Sequence, residues 1–228
     1  MSDENQTVKL KVIMTGATGM VGEGVLHECL LHPDVEDVLV LGRRTCGKKH
    51  PRLKEILHED FYNLSAIENQ LKGYNACFFC LGTTSLGKTE EQYYKVSYTL
   101  TMHVATILCK HNPEMIFCYI SGAGTDSTEK GRLMWARVKG KTENDLMKLP
   151  FKQVFLFRPG MLKPTEGSKN TPGYYKNLGW LYYPLRVLLP QFVSTLRELG
   201  LAMISSASRG YNKQVLEVRD IVEMSKRI

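Results

Sequence analysis

Three glycines spaced three apart, Gly16, Gly19 and Gly22, lie in the run VIMTGATGMVG near the start of the chain. A β-branched apolar stretch feeds this turn, and a helix-compatible stretch leaves it. Glycine at these positions lets the backbone approach a pyrophosphate closely. The helix beyond adds unpaired N–H groups and the positive end of its dipole. Thr18, Met20 and Val21 ride on the same turn and share its contacts.

A second group follows at Gly42-Arg43-Arg44, where the next apolar stretch ends. Sites that bind a bare adenosine ribose usually place a carboxylate here, to accept from its hydroxyls. Two guanidinium groups instead match a 2′-phosphate in charge and geometry. The pair points to NADP(H) in preference to NAD(H); a solvated basic turn is the competing account. Asp60-Phe61 is placed to sit beside the adenine, although Asp60 would equally cap a helix starting near residue 64. Leu81, Gly82 and Thr83 end a further apolar run and are read as ribose contacts.

These residues need strands that end together. The pattern predicts strands at 8–14, 38–41, 55–57, 77–81, 115–120 and 154–157. Helices are predicted at 21–31, 64–71, 90–110 and 132–149. Alternating β and α with apolar strands is the signature of a parallel sheet covered on both faces. The fold class is therefore α/β, a Rossmann-type doubly wound parallel sheet with a small C-terminal lobe. Residues 1–160 form the dinucleotide-binding domain, and 161–228 a substrate or lid lobe packed on it as one structural unit. In that lobe 161–179 reads as a loop, 192–205 as a helix, 215–218 as a strand and 220–226 as a final helix.

At 228 residues the chain can bury a sizeable core in one such unit. Its net charge of +7 suits a basic mouth for an anionic ligand, and no Lys/Arg stripe interleaved with aromatics points to nucleic acid. Residues 1–7 are polar and acidic, unlike a targeting peptide, and no apolar run is long enough to span a membrane. A cytoplasmic location is expected. The six cysteines agree with it. Cys77 and Cys80 form a CxxC, but on a strand an odd separation sends the thiols to opposite faces. The six histidines have no metal-ligand spacing, so no metal site is expected, and neither a GxSxG elbow nor a phosphate-loop lysine is present.

Together these segments resemble the atypical short-chain dehydrogenase/reductase superfamily. The glycine turn, Arg43-Arg44, Asp60, Cys80-Leu81-Gly82-Thr83-Thr84, Ser121-Gly122, Val138-Lys139-Gly140 with Glu143, Phe157-Arg158-Pro159-Gly160 and Leu216-Glu217 occur in its order. Within it the chain is most similar to the Tat-interacting protein family, grouped with NmrA-like and NAD-dependent epimerase/dehydratase proteins. The resemblance implies cofactor contacts from Lys139, Pro159, Gly160 and Met161. It also implies catalytic roles for Ser121 and Lys139 beside a Tyr four residues before the Lys.

That Tyr position holds Trp135, whose indole N–H only donates and cannot act as a general acid or base. Two readings follow. One is an oxidoreductase or epimerase/dehydratase-like enzyme acting on a small molecule, and the alternative is a non-catalytic NADP(H) sensor. Tyr93, Tyr94, Tyr98, Tyr174, Tyr175, Tyr182 and Tyr183 are candidates to stand in for the missing phenol, each with a plain packing role as the competing account. A third reading makes the basic, aromatic stretch 174–186 a membrane-surface or partner-binding module. The protein is expected to be a monomer or homodimer.

Overall fold

The central strand β1 (Leu10–Thr15) is apolar on both faces because both faces are covered. The computed structural model of the protein describes residues 8–173 and 182–227. In it β1 is flanked by β2 (Val35–Gly42) and β4 (Ala76–Phe79), and β3 (Leu53–Leu57) lies outside β2. Beyond β4 come β5 (Ile116–Ile120), β6 (Gln153–Arg158) and β9 (Val215–Glu217). All seven strands run parallel in the order 3-2-1-4-5-6-9, so the strand order reverses between β1 and β4. Ligands of open α/β sheets lie at such a reversal, at the carboxyl ends of the strands.

Side chains alternate between two cores with the period of the pleat. Val12, Met14, Phe78, Cys118 and Phe157 face the layer formed by α1 (Met20–Leu31), α6 (Leu196–Arg209) and α7 (Val218–Met224). Ile13, Cys77, Phe79, Phe117, Tyr119 and Leu156 face the layer of α3 (Leu100–His111) and α4 (Met134–Leu146). Cys77 belongs to the second core while Cys80 packs on the first, and all six cysteines are free thiols. Of the segment after residue 160, β7 (Met161–Lys163) and β8 (Val193–Thr195) form a separate two-stranded sheet. The helices α6 and α7 and the strand β9 join the main layers. A short helix, α5 (Tyr182–Leu188), leads into β8 through a 3-10 turn.

Four local expectations change. The predicted helix 64–71 is only a 3-10 turn, Glu68–Leu71. The Asn63 side chain accepts from the Ser65 amide and hydroxyl, and Ile67 and Gln70 bond three residues back, so no α-helical ladder starts. The predicted helix 90–110 contains a π-helical turn, Lys95–Thr99, between α2 (Glu90–Tyr94) and α3. Residues 161–163, predicted as loop, form β7 by pairing with β8. The helix predicted from 192 starts at Leu196 instead, because Thr195 and Glu198 form a reciprocal capping box and the three preceding residues are strand.

Candidate functional site

The glycine turn is set by backbone collisions that any side chain would create. Gly16 has φ +74°, and a Cβ there would lie 2.6 Å from the Cys80 carbonyl and the Leu81 amide, at the junction of the β1 and β4 ends. At Gly22 a Cβ would stand 2.1 Å from the Gly16 carbonyl oxygen, so the first turn of α1 packs directly on the loop. Gly19 differs. It is the N-cap residue of α1 and makes no side-chain cap, and a Cβ there would meet only the Gly16 carbonyl oxygen, at 3.4 Å. The start of α1 thus faces open space, with the backbone donors that a phosphate needs.

That space is a cleft of about 260 Å³ lined by Gly16, Thr18, Gly19, Arg43, Arg44, Phe61, Leu81 and Gly82 among others. Arg43 and Arg44 are exposed on its wall, and neither pairs with a carboxylate among the described residues. A second cavity of about 290 Å³ shares Arg43, Phe61, Leu81 and Gly82 and adds Asp60, Thr83, Val96 and Leu100. Asp60 accepts from the Tyr62 amide at 2.9 Å through one carboxylate oxygen and caps no α-helix. Val96 and Leu100 come from the π-helical turn and the start of α3. The Lys95 carbonyl there accepts both from Leu100 five residues on and from the Tyr62 hydroxyl. Such insertions are frequent at functional sites.

Met20, Val21 and Gly22 sit behind the turn in α1, the first two packed against the core rather than lining the cleft. Pro159, Gly160 and Met161 line neither cavity. The Pro159 carbonyl accepts from Ala123, Met161 opens β7, and a Cβ on Gly160 would lie 2.1 Å from the Phe192 carbonyl oxygen. Glu23, buried one turn into α1, accepts from the amides of Lys169 and Asn170 and from the Asn170 side chain. Burial opposes its charge, but these hydrogen bonds outweigh it and hold the carboxyl below its usual value.

At the ends of β5 and β6 the polar groups face one another. The Ser121 hydroxyl donates to Glu143 Oε1 at 2.5 Å, with the Phe157 carbonyl as an alternative acceptor at 3.2 Å. Glu143, 1% exposed, is bound by the Arg158 guanidinium, which also reaches Ser127 and Glu217. Lys139 is buried, donating to the Tyr119 hydroxyl at 2.9 Å and to the Ile120 carbonyl at 3.0 Å. Burial lowers its pKa against the opposing fields of Tyr93 and Glu143, while burial raises that of Tyr119. The Trp135 ring lies over the turn, within 3.9 Å of the Cβ positions of Gly122 and Gly124.

Among the candidate tyrosines, Tyr93 is buried, Tyr98 donates to Asp145, and Tyr183 is hydrogen-bonded to Lys163. Tyr174 and Tyr175 lie outside the described residues. Sequence reasoning missed Val96 and Leu100, because a π-helical turn has no marker in residue type. It also missed the roles of Glu143, Arg158 and Tyr119, whose meeting depends on three separate elements.

The chain is 27% identical to protein HTATIP2 of Rattus norvegicus over 188 residues, 76% of this chain and 74% of that one. It is 24% identical to protein FMP52, mitochondrial, of Candida albicans over 218 residues, covering 90% of this chain and 91% of that one. Among solved structures, "MoeE5 in complex with UDP-glucose and NAD" superimposes with a TM-score of 0.66 at 14% identity, covering 94% of this chain and 80% of that one. A short-chain dehydrogenase from Burkholderia cenocepacia in complex with NADP does so with a TM-score of 0.64 at 15% identity, covering 96% and 93%. These two share the fold. No helix among the described residues is long and apolar enough to cross a membrane. Residues 12–130, just over half of the chain, match the NAD dependent epimerase/dehydratase family, and the chain belongs to that family of NAD(P)-binding, oxidoreductase-like proteins.

Proposed function

We propose that this protein binds NADP(H) in preference to NAD(H). The observation that carries this reading is the pair Arg43 and Arg44, exposed on the cleft wall without a carboxylate partner among the described residues. Two free guanidinium groups at the end of β2 are complementary to a 2′-phosphate. In this reading the Gly16–Gly19 turn and the start of α1 take the pyrophosphate. Phe61, Leu81, Asp60, Val96 and Leu100 enclose the adenine, and Gly82 and Thr83 approach the ribose. Lys139 and Pro159, Gly160 and Met161 serve the nicotinamide end. When bound, the nicotinamide supplies a carbon that gives or accepts hydride.

The test is calorimetric titration with both nucleotides. NADPH should bind at least tenfold more tightly than NADH. Hydrogen bonds to charged groups contribute about 1.5–3 kcal/mol, so Arg43→Ala with Arg44→Ala should weaken NADPH about 10- to 100-fold and leave NADH nearly unchanged. Equal wild-type affinities would remove the 2′-phosphate assignment.

Two uses of the nucleotide are then distinguished by the second half of the site. An oxidoreductase or epimerase/dehydratase-like enzyme needs a group that exchanges a proton with the substrate oxygen. A nucleotide-responsive regulator does not. The second use is favoured by Trp135 at the Tyr position and by the commitment of the Ser121 proton to Glu143. A panel of carbonyl compounds should give no oxidation of bound NADPH with the wild type. Trp135→Tyr should introduce it if the remaining groups are in place, and wild-type turnover would decide for the enzyme. A cytoplasmic monomer or homodimer completes the reading. The six free thiols support a reducing compartment, whereas the fungal relatives carry mitochondrial in their names, and localisation of the tagged full chain separates the two.

A further inference from the structure

The largest concavities among those described lie away from the nucleotide cleft. Two adjoining cavities of about 510 and 550 Å³ share Thr165, Arg197, Leu201, Ser225 and Lys226, and together form one trough. Its walls are the later turns of α1, the first turns of α6, and the chain just after α7. The α1 helix begins at the phosphate turn and rises about 1.5 Å per residue, which sets the trough about 12–18 Å from that turn.

The trough has a mixed lining, with Leu31, Leu201, Pro33 and Pro164 as its apolar members and polar or charged side chains for the rest. Leu31, 66% exposed, and Leu201 provide apolar surface. His32 lines the wall and is 6% exposed. Its Nδ1 accepts from the Asp34 amide at 3.1 Å, and burial lowers its pKa, so the neutral ring carries its proton on Nε2. That Nε2–H is buried and has no acceptor, and the Thr165 hydroxyl is likewise buried and without a partner. Buried donors in this state cost stability until an acceptor arrives. Two exposed cations stand beside them. Lys226 has no carboxylate partner among the described residues. Arg197 touches one only through Nε, 4.0 Å from Glu28, which leaves its two terminal nitrogens free. Three acids also line the trough: Glu198 is held by Arg186 and by the capping box, Glu28 lies beside Arg197, and Glu166, exposed, lines only the smaller cavity.

We infer that this trough is a second ligand site, separate from the nucleotide cleft, for a single-chain carboxylate amphiphile of the medium-chain fatty-acid type. The carboxylate supplies acceptors to Arg197, Lys226 and the unpartnered donors, and the alkyl chain covers Leu31 and Leu201. Each cavity falls within the 300–1,000 Å³ typical of small-ligand pockets. A concavity of that kind favours a small molecule over a protein face. The inference does not depend on the cofactor assignment.

The experiment titrates decanoate into the full chain below its micellar concentration and measures heat, with NADPH titrated in parallel. Saturable binding of one decanoate per chain is expected. Decanol, with the same chain length and no charge, should bind at least tenfold more weakly. Arg197→Glu with Lys226→Glu should also weaken decanoate at least tenfold while leaving NADPH affinity within twofold, since both side chains are exposed and outside the cleft. No saturable uptake, equal binding of decanol, or unchanged binding by the double variant would each overturn the site. Loss of NADPH binding by the wild type would count against the cofactor reading alone.

Discussion

The two halves of the strand-end surface treat their polar groups in opposite ways. At the ends of β1 and β2, the start of α1 is uncapped and Arg43 and Arg44 have no protein partners among the described residues. At the ends of β5 and β6, Ser121, Glu143 and Arg158 satisfy one another, and Lys139 satisfies two oxygens of its own fold. Unsatisfied groups in a concave surface are poised for a ligand, whereas closed networks hold a structure together. The groups at the ends of β1 and β2 are thus open to a ligand, while those at the ends of β5 and β6 are spent within the fold.

Substitutions test that contrast. The largest effect is expected from Gly22→Val, whose side chain would drive into the Gly16 carbonyl 2.1 Å from its Cβ. A backbone carbonyl cannot step aside as a flexible side chain does, so no cooperative unfolding transition should survive in circular dichroism melts. Next comes Glu143→Ala, which removes the buried carboxylate and leaves the Arg158 guanidinium only Glu217 and Ser127; it should cost about 2–4 kcal/mol in urea denaturation. A cost below about 1 kcal/mol would mean that the network is not structural and that Ser121 is free for a substrate.

A smaller effect belongs to Asp145 on α4, which serves as a control outside both halves. Burial alone would raise its carboxyl, but bonds from Lys148, Tyr98 and Lys141 outweigh that and hold it at about 2. A folded-state value below the unfolded one, about 3.9, contributes stability that is present above pH about 4 and lost as pH falls toward about 2. Asp145→Asn should cost about 1–2 kcal/mol at pH 7 and flatten that acid limb, and an unchanged limb would remove the assignment. The smallest effect on stability is expected from Arg43→Ala with Arg44→Ala, within about 0.5 kcal/mol of wild type, because neither guanidinium holds the fold. A larger loss would place the pair with the structural network rather than with the cleft.

Much of this was legible in residue order. Gly16, Gly19, Gly22, Arg43, Arg44, Leu81 and Gly82 are close to strand ends in sequence, so naming the strands placed them around one space. The helix expected at 64–71 fails for a local reason, whereas the strand at 161–163, inside the loop expected at 161–179, depends on a distant partner. Asn63 offered the backbone a competing bond, and β7 exists only because β8, some thirty residues later, pairs with it. Gly160 likewise has its reason in Phe192, a contact that no neighbouring residue announces.

The parallel sheet and the glycine turn follow from the sequence, since short-range periodicity marks the strands and the collisions of the glycines lie within a few residues or at the adjacent strand end, whereas the strand order and its reversal come only with the fold. The tertiary structure alone decided where protons and charges go. Ser121 precedes Glu143 by a loop and most of a helix, and Arg158 arrives on a further strand. Which acceptor takes a hydroxyl proton depends on distances of tenths of an ångström between elements, and no spacing along the chain encodes them.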